Sequence, residues 1–395
     1  MFTHWLGLFI AIGVLLLVAR KSLPLAFVLS SIVLGAFTLS PMEVGRGIWN
    51  TVTDPSILLL ALAMGIIPMI GGVMEESGQM DCLVNNLRIG KRSFLVLSPA
   101  LIGMLPVPGG ALLSAPMVER VGKDMEGRVK AALNVWFRHV LFLMYPLGPA
   151  LIASAKIAGL GVYEVIPYLF PCFLLTLIIG WSFFLRDAEG TISYEGGFSI
   201  KKLLIPLGII LLAPLLDFLL QKIVVASVKE WTTVIAVSCS LALALLLSDL
   251  SLSDIKRIGK RMAPWNFSGI IIGMFLFYNI FKASGVPKLI ASLAFSEPVL
   301  CLASFFLGMV TGRIQLPASV VIPTYLSMGK SSPMSPITFA FIFFSTFLGY
   351  IISPVHPCVS VSVEYFKVRI GDYLKTAATP TLIALILTLI LVLLL

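Results

Sequence analysis

Charge is the scarcest commodity in this 395-residue sequence. Asp, Glu, Lys and Arg make up 12% of it, about half of what a soluble domain carries. Hydrophobic residues make up 58%, and mean hydropathy is +1.03. That balance excludes an ordinary water-facing globular domain. Lipid is the main solvent, and one membrane domain is expected to fill the chain. No CxxC pair occurs. Cys82, Cys172, Cys239, Cys301 and Cys358 stand mostly inside apolar runs and read as small buried hydrophobes. The three histidines, His4, His139 and His356, are far apart, so no metal-ligand cluster is visible and no metal or cofactor is expected. HExxH, GxSxG and paired carboxylates within apolar runs are all missing, which argues against a membrane-embedded enzyme. Ser114 with His356 is the one nucleophile–base pairing to consider. The net charge of +9 does not point to nucleic acid, because the basic residues sit in short loops between apolar segments, where cytoplasmic anchors belong. The first run, His4 to Ala19, lacks a basic leader and a small-residue cleavage site, and is expected to be a retained membrane helix.

What is present is a succession of apolar runs. A spanning helix needs about 20 such residues, with a range of about 17–25. Spans are expected at 4–19, 23–39, 56–74, 131–158 and 162–185. A second set is expected at 203–220, 231–248, 266–283, 334–366 and 376–395. Glu75 to Arg92 is expected to lie along the interface. Two of the spans are broken by proline, at Tyr145–Pro149 (YPLGP) and Ser353–Pro357 (SPVHP). Two further stretches are apolar yet interrupted by proline and glycine, LPVPGGALLSAP (105–116) and GRIQLPASVVIP (312–323). Their arms, 93–122 and 297–329 as wholes, are too short for two crossings each and suit re-entrant hairpins.

The landmarks recur. Ala111 and Pro116 match Ala318 and Pro323 at an offset of 207, as Ser77-Gly78 matches Ser284-Gly285. Pro146 and Pro149 match Pro354 and Pro357 at 208. A nearly constant offset implies an internal repeat, residues 1–185 and 203–395, joined by a cytoplasmic linker at 186–202. Basic residues then give the topology. With both hairpins re-entrant, 20 of the 28 Lys and Arg fall on one side and 7 on the other, with Arg313 in a tip. With hairpins that cross, the split is 13 against 14 and the positive-inside bias vanishes. The expected fold is therefore an all-α polytopic membrane protein. It has about ten transmembrane helices plus two re-entrant hairpins in two inverted-topology repeats, and both termini are outside.

Irregular backbone at membrane depth is tolerated only where protein, water or ligand satisfies its polar groups. In inverted-repeat transporters such places meet near the midplane, with helix N-termini toward anions. The candidate substrate- or ion-binding residues follow. At the first tip they are Pro108, Gly109, Gly110, Ala111 and Ser114. At the second they are Arg313, Gln315 and Ser319. The first break offers Tyr145 and Gly148, and the second Ser353, His356 and Ser360. Arg313 is the candidate for an anion, since its planar fork suits carboxylate or phosphate. His356 can donate to an anion, carry a coupling proton or simply bond a freed carbonyl. Arg138 and His139, with Asn134 one turn earlier, carry less weight, and Asp217 is expected to face the interface near a span end. The first tip is expected to supply mainly backbone, and the second half the selecting charge.

With these features in hand, the chain resembles the ion transporter superfamily. Within that group it is most similar to the uncharacterised integral membrane proteins of the domain-of-unknown-function 401 family. LPVPGGALLSAP and the ten-span plan carry the match. The resemblance implies a homodimer with elevator-type access, in which the first two helices of each half are scaffold and the hairpins and broken helices move. Sodium-coupled dicarboxylate members carry Ser-Asn-Thr at each tip, where this chain has Pro-Gly-Gly and Leu-Pro-Ala-Ser. Coupling to H+ through His356 thus stands beside coupling to Na+. The expected function is a secondary active transporter of a small anionic solute. A channel or structural membrane subunit is the alternative.

Overall fold

The computed structural model describes residues 1–107, 110–186, 188–192, 194, 197–224, 228–293, 295–329 and 333–395. Every regular element among them is helical. The first series is α1 (Phe2–Ala19), α2 (Leu23–Thr38), α3 (Pro41–Thr53), α4 (Pro55–Glu76), α5 (Gln79–Asn85), α6 (Lys91–Gly103), α7 (Ala111–Val121), α8 (Gly127–Val140), α9 (Pro149–Ile157) and α10 (Val162–Phe184). A 3₁₀ turn, Leu141–Leu143, follows α8. The second series is α11 (Ile200–Ile223), α12 (Glu230–Leu246), α13 (Leu252–Met262), α14 (Pro264–Ala283), α15 (Val286–Ala291), α16 (Glu297–Thr311), α17 (Gln315–Ser327), α18 (Pro336–Ile352), α19 (Pro357–Tyr365) and α20 (Ile370–Leu394).

Among the described residues, seven stretches are long and apolar enough to cross a membrane. Large apolar side chains on the outer helices point away from the protein, among them Phe9, Leu17, Leu215 and Leu393. In water such faces would be interaction sites; in hydrocarbon they are simply wetted by lipid. The protein is a multi-pass membrane protein. Four of the ten expected spans fall short of a full single helix. α2 and α12 have 16 and 17 residues, so at about 1.5 Å per residue they reach about 24–26 Å of a core about 30 Å thick. The other two are divided, one into α8 and α9 and one into α18 and α19.

Two helices lie where no element is expected, α3 and α13. Both are amphipathic, so neither shows as an apolar run. Their starts are nevertheless written in the sequence as capping boxes. Ser40 and Glu43 exchange bonds at the head of α3, and Ser251 and Asp254 at the head of α13. Boundaries also move. α11 begins at Ile200 and α20 at Ile370, because both helices carry polar first turns beyond the apolar run. Glu75 to Arg92 is not one interfacial piece, since α4 continues to Glu76 and α5 follows a turn at Gly78. That turn recurs at Gly285. Gly78 has φ +71° and Gly285 φ +72°, a left-handed conformation that glycine adopts without strain.

The second series follows the first in order and kind, and contacts come in matched pairs. α4 packs on α12 as α14 packs on α2. α7 meets α19 as α17 meets α9. α8 meets α20 as α18 meets α10. On the α4–α14 contact, the Ser268 hydroxyl donates to the Ala61 carbonyl at 2.8 Å.

Asp217 is not at the interface as expected. It is buried in α11 and accepts from Tyr163 (2.8 Å), Thr232 (2.8 Å), Thr233 (3.0 Å) and Gln221 (3.0 Å). The carboxylate thus ties α10, α11 and the first turn of α12 together. Asp217→Ala leaves buried hydroxyls without their acceptor. We expect a loss of about 2–3 kcal/mol, seen as a lower melting temperature of the detergent-purified protein with no change in ligand affinity.

Candidate functional site

Each series contains a helical hairpin, α6–α7 and α16–α17, and a helix broken by proline, α8–α9 and α18–α19. The breaks have the same design. Gly148 and His356 are the N-caps of α9 and α19 in extended conformation, and Pro149 and Pro357 open the helices. Proline is suited to that first position, because its missing N–H would be unpaired there anyway. The Ser353 hydroxyl donates to the Met309 carbonyl at 2.5 Å and accepts from Val355 N–H at 3.3 Å, which holds the second break against α16.

The second tip touches the second break directly. Gly312, at φ +58°, lies so close that an added Cβ would come within 2.9 Å of the His356 nitrogen. The first tip meets a different group. A Cβ on Gly110 would overlap the Arg138 guanidinium, and one on Gly103 would overlap the Arg138 carbonyl. Asn134, one turn earlier on α8, donates to the Ala111 carbonyl at 3.3 Å and to the Ser362 hydroxyl at 2.9 Å. It thereby joins the first tip to α19. The histidine ring that follows Arg138 completes the connection. His139 and His356 have ring centroids 4.7 Å apart, and Tyr350 lies 5.2 Å from His139 and 4.0 Å from His356. The two tips, α8 and the second break thus converge on one buried cluster.

The cluster is rich in positive charge and donors. Arg138 is 4% exposed and His139 and His356 each 1%. The Arg138 guanidinium faces Cys358, and Arg313 lies within electrostatic reach of Tyr350, His356 and Cys358. Among the described residues no Asp or Glu forms an ion pair with Arg138 or Arg313; the ion pairs of α8 itself are at its first turn, Arg128 with Glu126 and Lys130 with Glu119. One guanidinium nitrogen of Arg138 is buried without a partner. Neither ring nitrogen of His356 makes a well-formed hydrogen bond, although the Tyr350 carbonyl is near. His139 is fixed differently. Its Nδ1 is 2.6 Å from the Val135 carbonyl, which can only accept, so Nδ1 carries the hydrogen and Nε2 keeps its lone pair.

Sequence expectations sort unevenly onto this geometry. Gly110, Ala111, Arg313, Ser353 and His356 are at or beside the convergence. Pro108 and Gly109 lie outside the described residues. Ser114 and Ser319 are buried on their hairpins, and each donates to a carbonyl of its own helix, Ala111 at 3.4 Å and Leu316 at 2.8 Å. Gln315 is half-buried and Ser360 exposed. A Cβ on Gly148 would meet only Tyr145 and Leu151 of its own break, none of the cluster residues. Tyr145 faces elsewhere, into an apolar crevice of about 330 Å³ shared with Met104, Tyr163 and Phe218. Charge beside the tips is not confined to the second half, since Arg138 of α8 packs on the first tip. Nor is Arg138 a loop charge, although removing it from the topology count leaves the bias intact. The sequence also showed no metal-ligand cluster, yet the fold brings His139, His356 and Cys358 together.

The sequence matches the family described as "Protein of unknown function (DUF401)" over residues 3–395. No curated protein matches it significantly. Among solved structures, the Alcanivorax borkumensis YdaH transporter, described as having an unusual topology, is similar in fold. The TM-score is 0.53 at 15% identity, over 93% of this chain and 95% of that one.

Proposed function

The chain belongs to the DUF401 family, and on that footing we propose that it is a secondary transporter of a small anion. The observation that carries this reading is Arg138, a buried guanidinium with no acidic partner where both hairpin tips converge. A buried charge left unpaired costs several kcal/mol. An anion that pairs with Arg138, and with Arg313 from the other hairpin, removes that cost. The similarity in fold to a transporter supports the class.

We read the two series of helices as inverted-topology repeats, residues 1–185 and 203–395 around a cytoplasmic linker, with re-entrant hairpins entering from opposite sides and both termini outside. The matched contacts support this. So does the Ser268–Ala61 bond, which joins two positions separated by the repeat offset itself, as expected on a pseudo-two-fold axis. In this reading the hairpins and broken helices move past α1, α2, α11 and α12 in a homodimer. Lys156 on α9, which bonds Glu230 of α12 and Ser56 of α4, links moving and fixed parts. A gradient of H+ or Na+ supplies the driving force.

The test is flux in proteoliposomes, with a panel of mono- and dicarboxylates and inorganic anions, under imposed Na+ or H+ gradients. Saturable anion uptake driven by one gradient is expected. No flux of any anion under either gradient overturns the reading, and large ungated currents would make the protein a channel. Arg313→Ala is expected to weaken anion binding about tenfold in a thermal-shift titration, as removal of one charge-assisted contact should. Unchanged affinity removes Arg313 from the site.

A further inference from the structure

We propose that His139, His356 and Cys358 form a binding site for a soft divalent metal ion of the zinc class, beside the anion position. The donor atoms of the three residues all lie within 4.8 Å of one another. Ligands at about 2.0–2.3 Å from a tetrahedral ion stand roughly 3.3–3.8 Å apart, so side-chain adjustments of about an ångström close the set. Imidazole and thiolate together are the donors that soft metals select over magnesium or calcium.

The supporting groups are in place. The Val135 carbonyl holds Nδ1–H of His139 and turns Nε2 into the free donor, the arrangement that commonly orients a ligating histidine. His356 has both nitrogens without a well-formed bond, a poor state for a buried polar ring unless something binds it. Cys358 follows two residues later, at the head of α19. Binding exchanges the thiol proton for the metal and oxidises nothing.

The same guanidiniums set the limits of the site. Arg138 and Arg313 repel a dication, and one thiolate does not offset both. Three protein donors leave a tetrahedral ion one open position. An anion drawn by the two arginines is available to fill it. Metal affinity should therefore rise with a bound anion, and Arg138→Gln should tighten the metal while weakening the anion. A site for anions alone would show only the second effect.

Cobalt reports on such a site directly. Purified wild-type protein titrated with Co²⁺ is expected to give a thiolate-to-cobalt charge-transfer band and four-coordinate visible bands, saturating at one ion per chain and displaced by Zn²⁺. Cys358→Ser should abolish the charge-transfer band. His139→Ala and His356→Ala should each weaken binding at least tenfold, and Arg138→Gln should strengthen it about tenfold. The band should survive Cys82→Ser and Cys239→Ser, which remove the other two thiols that are not buried. If Cys358→Ser does not fold, Zn²⁺ should still protect Cys358 of the wild type from maleimide, read by mass spectrometry. No charge-transfer band in the wild type, a band that persists in Cys358→Ser, or no protection of Cys358 overturns the proposal. Anion flux measured in metal-free protein is a separate result, so the two readings fail independently.

Discussion

Arg138→Gln is expected to weaken anion binding at least 30-fold while making the ligand-free protein more stable. The two halves of that result have one cause. Arg138 is buried at the first tip, has no acid beside it and leaves a guanidinium nitrogen unpaired. In the empty protein its charge is a cost, and a neutral side chain of similar reach relieves it. In the loaded protein the same charge is the anion's partner. Truncating one member of a buried charge pair costs about 2–5 kcal/mol, or about 30- to 4,000-fold in affinity. A structural arginine would behave in the opposite way, with stability falling and affinity following it. Arg138→Lys should not restore binding, because the ammonium lacks the planar fork and its stem would leave the space against Gly110 unfilled. The measurement is a thermal-shift titration of wild type and both variants with the best anion of the flux panel. A lower melting temperature for the empty Arg138→Gln protein, or unaltered anion shifts, would remove Arg138 from the site.

Much of the architecture was legible because membranes restrict the vocabulary of the chain. Non-helical backbone at membrane depth has to be written in proline and glycine, so the tips and breaks stood out at Leu105–Pro116, Gly312–Pro323, Tyr145–Pro149 and Ser353–Pro357. Arg138 and His139 were harder. They sit in the run AALNVWFRHVLFLMY, which reads as one ordinary helix, and their partners Gly110, Tyr350, His356 and Cys358 come from other elements, three of them more than two hundred positions away. The available signal was chemical. An arginine and a histidine side by side in an apolar helix, about two turns before a break, are expensive unless used. Tyr145 misled for the converse reason. It stands in the break itself, yet the 3₁₀ turn after α8 directs it to the crevice beside α11. α3 and α13 escaped because hydropathy finds uniformly apolar runs and says little about amphipathic helices.

Gly349→Ala is expected to be among the most damaging single changes in the protein, although it adds one methyl group. α16 and α18 cross with their backbones in contact. A Cβ on Gly349 would overlap the Phe305 carbonyl oxygen and stand 2.9 Å from the Met309 nitrogen. A Cβ on Gly308 would come 2.5 Å from the Thr346 carbonyl. Neither neighbour is the flexible end of a side chain, so the helices themselves must separate. Small residues are what let membrane helices approach this closely, and overpacking a tight contact costs about 1–3 kcal/mol even where side chains can yield. We expect about 3 kcal/mol or more here, read as a large drop in melting temperature and a shift toward aggregate in size-exclusion chromatography. The site suffers with it. Tyr350, in ring contact with His356, is the next residue, and Ser353 bonds Met309 on the opposite helix. Moving α18 off α16 pulls the second break from the second tip, so anion binding should fall even in the fraction that stays folded. Gly103→Ala should act alike in the first half, because its Cβ would overlap the Arg138 carbonyl and displace the guanidinium's own helix. Gly13→Ala and Gly208→Ala have open space at the same position and should leave stability and binding unchanged. Equal tolerance of all four substitutions would mean that the hairpins do not pack on the broken helices through bare backbone.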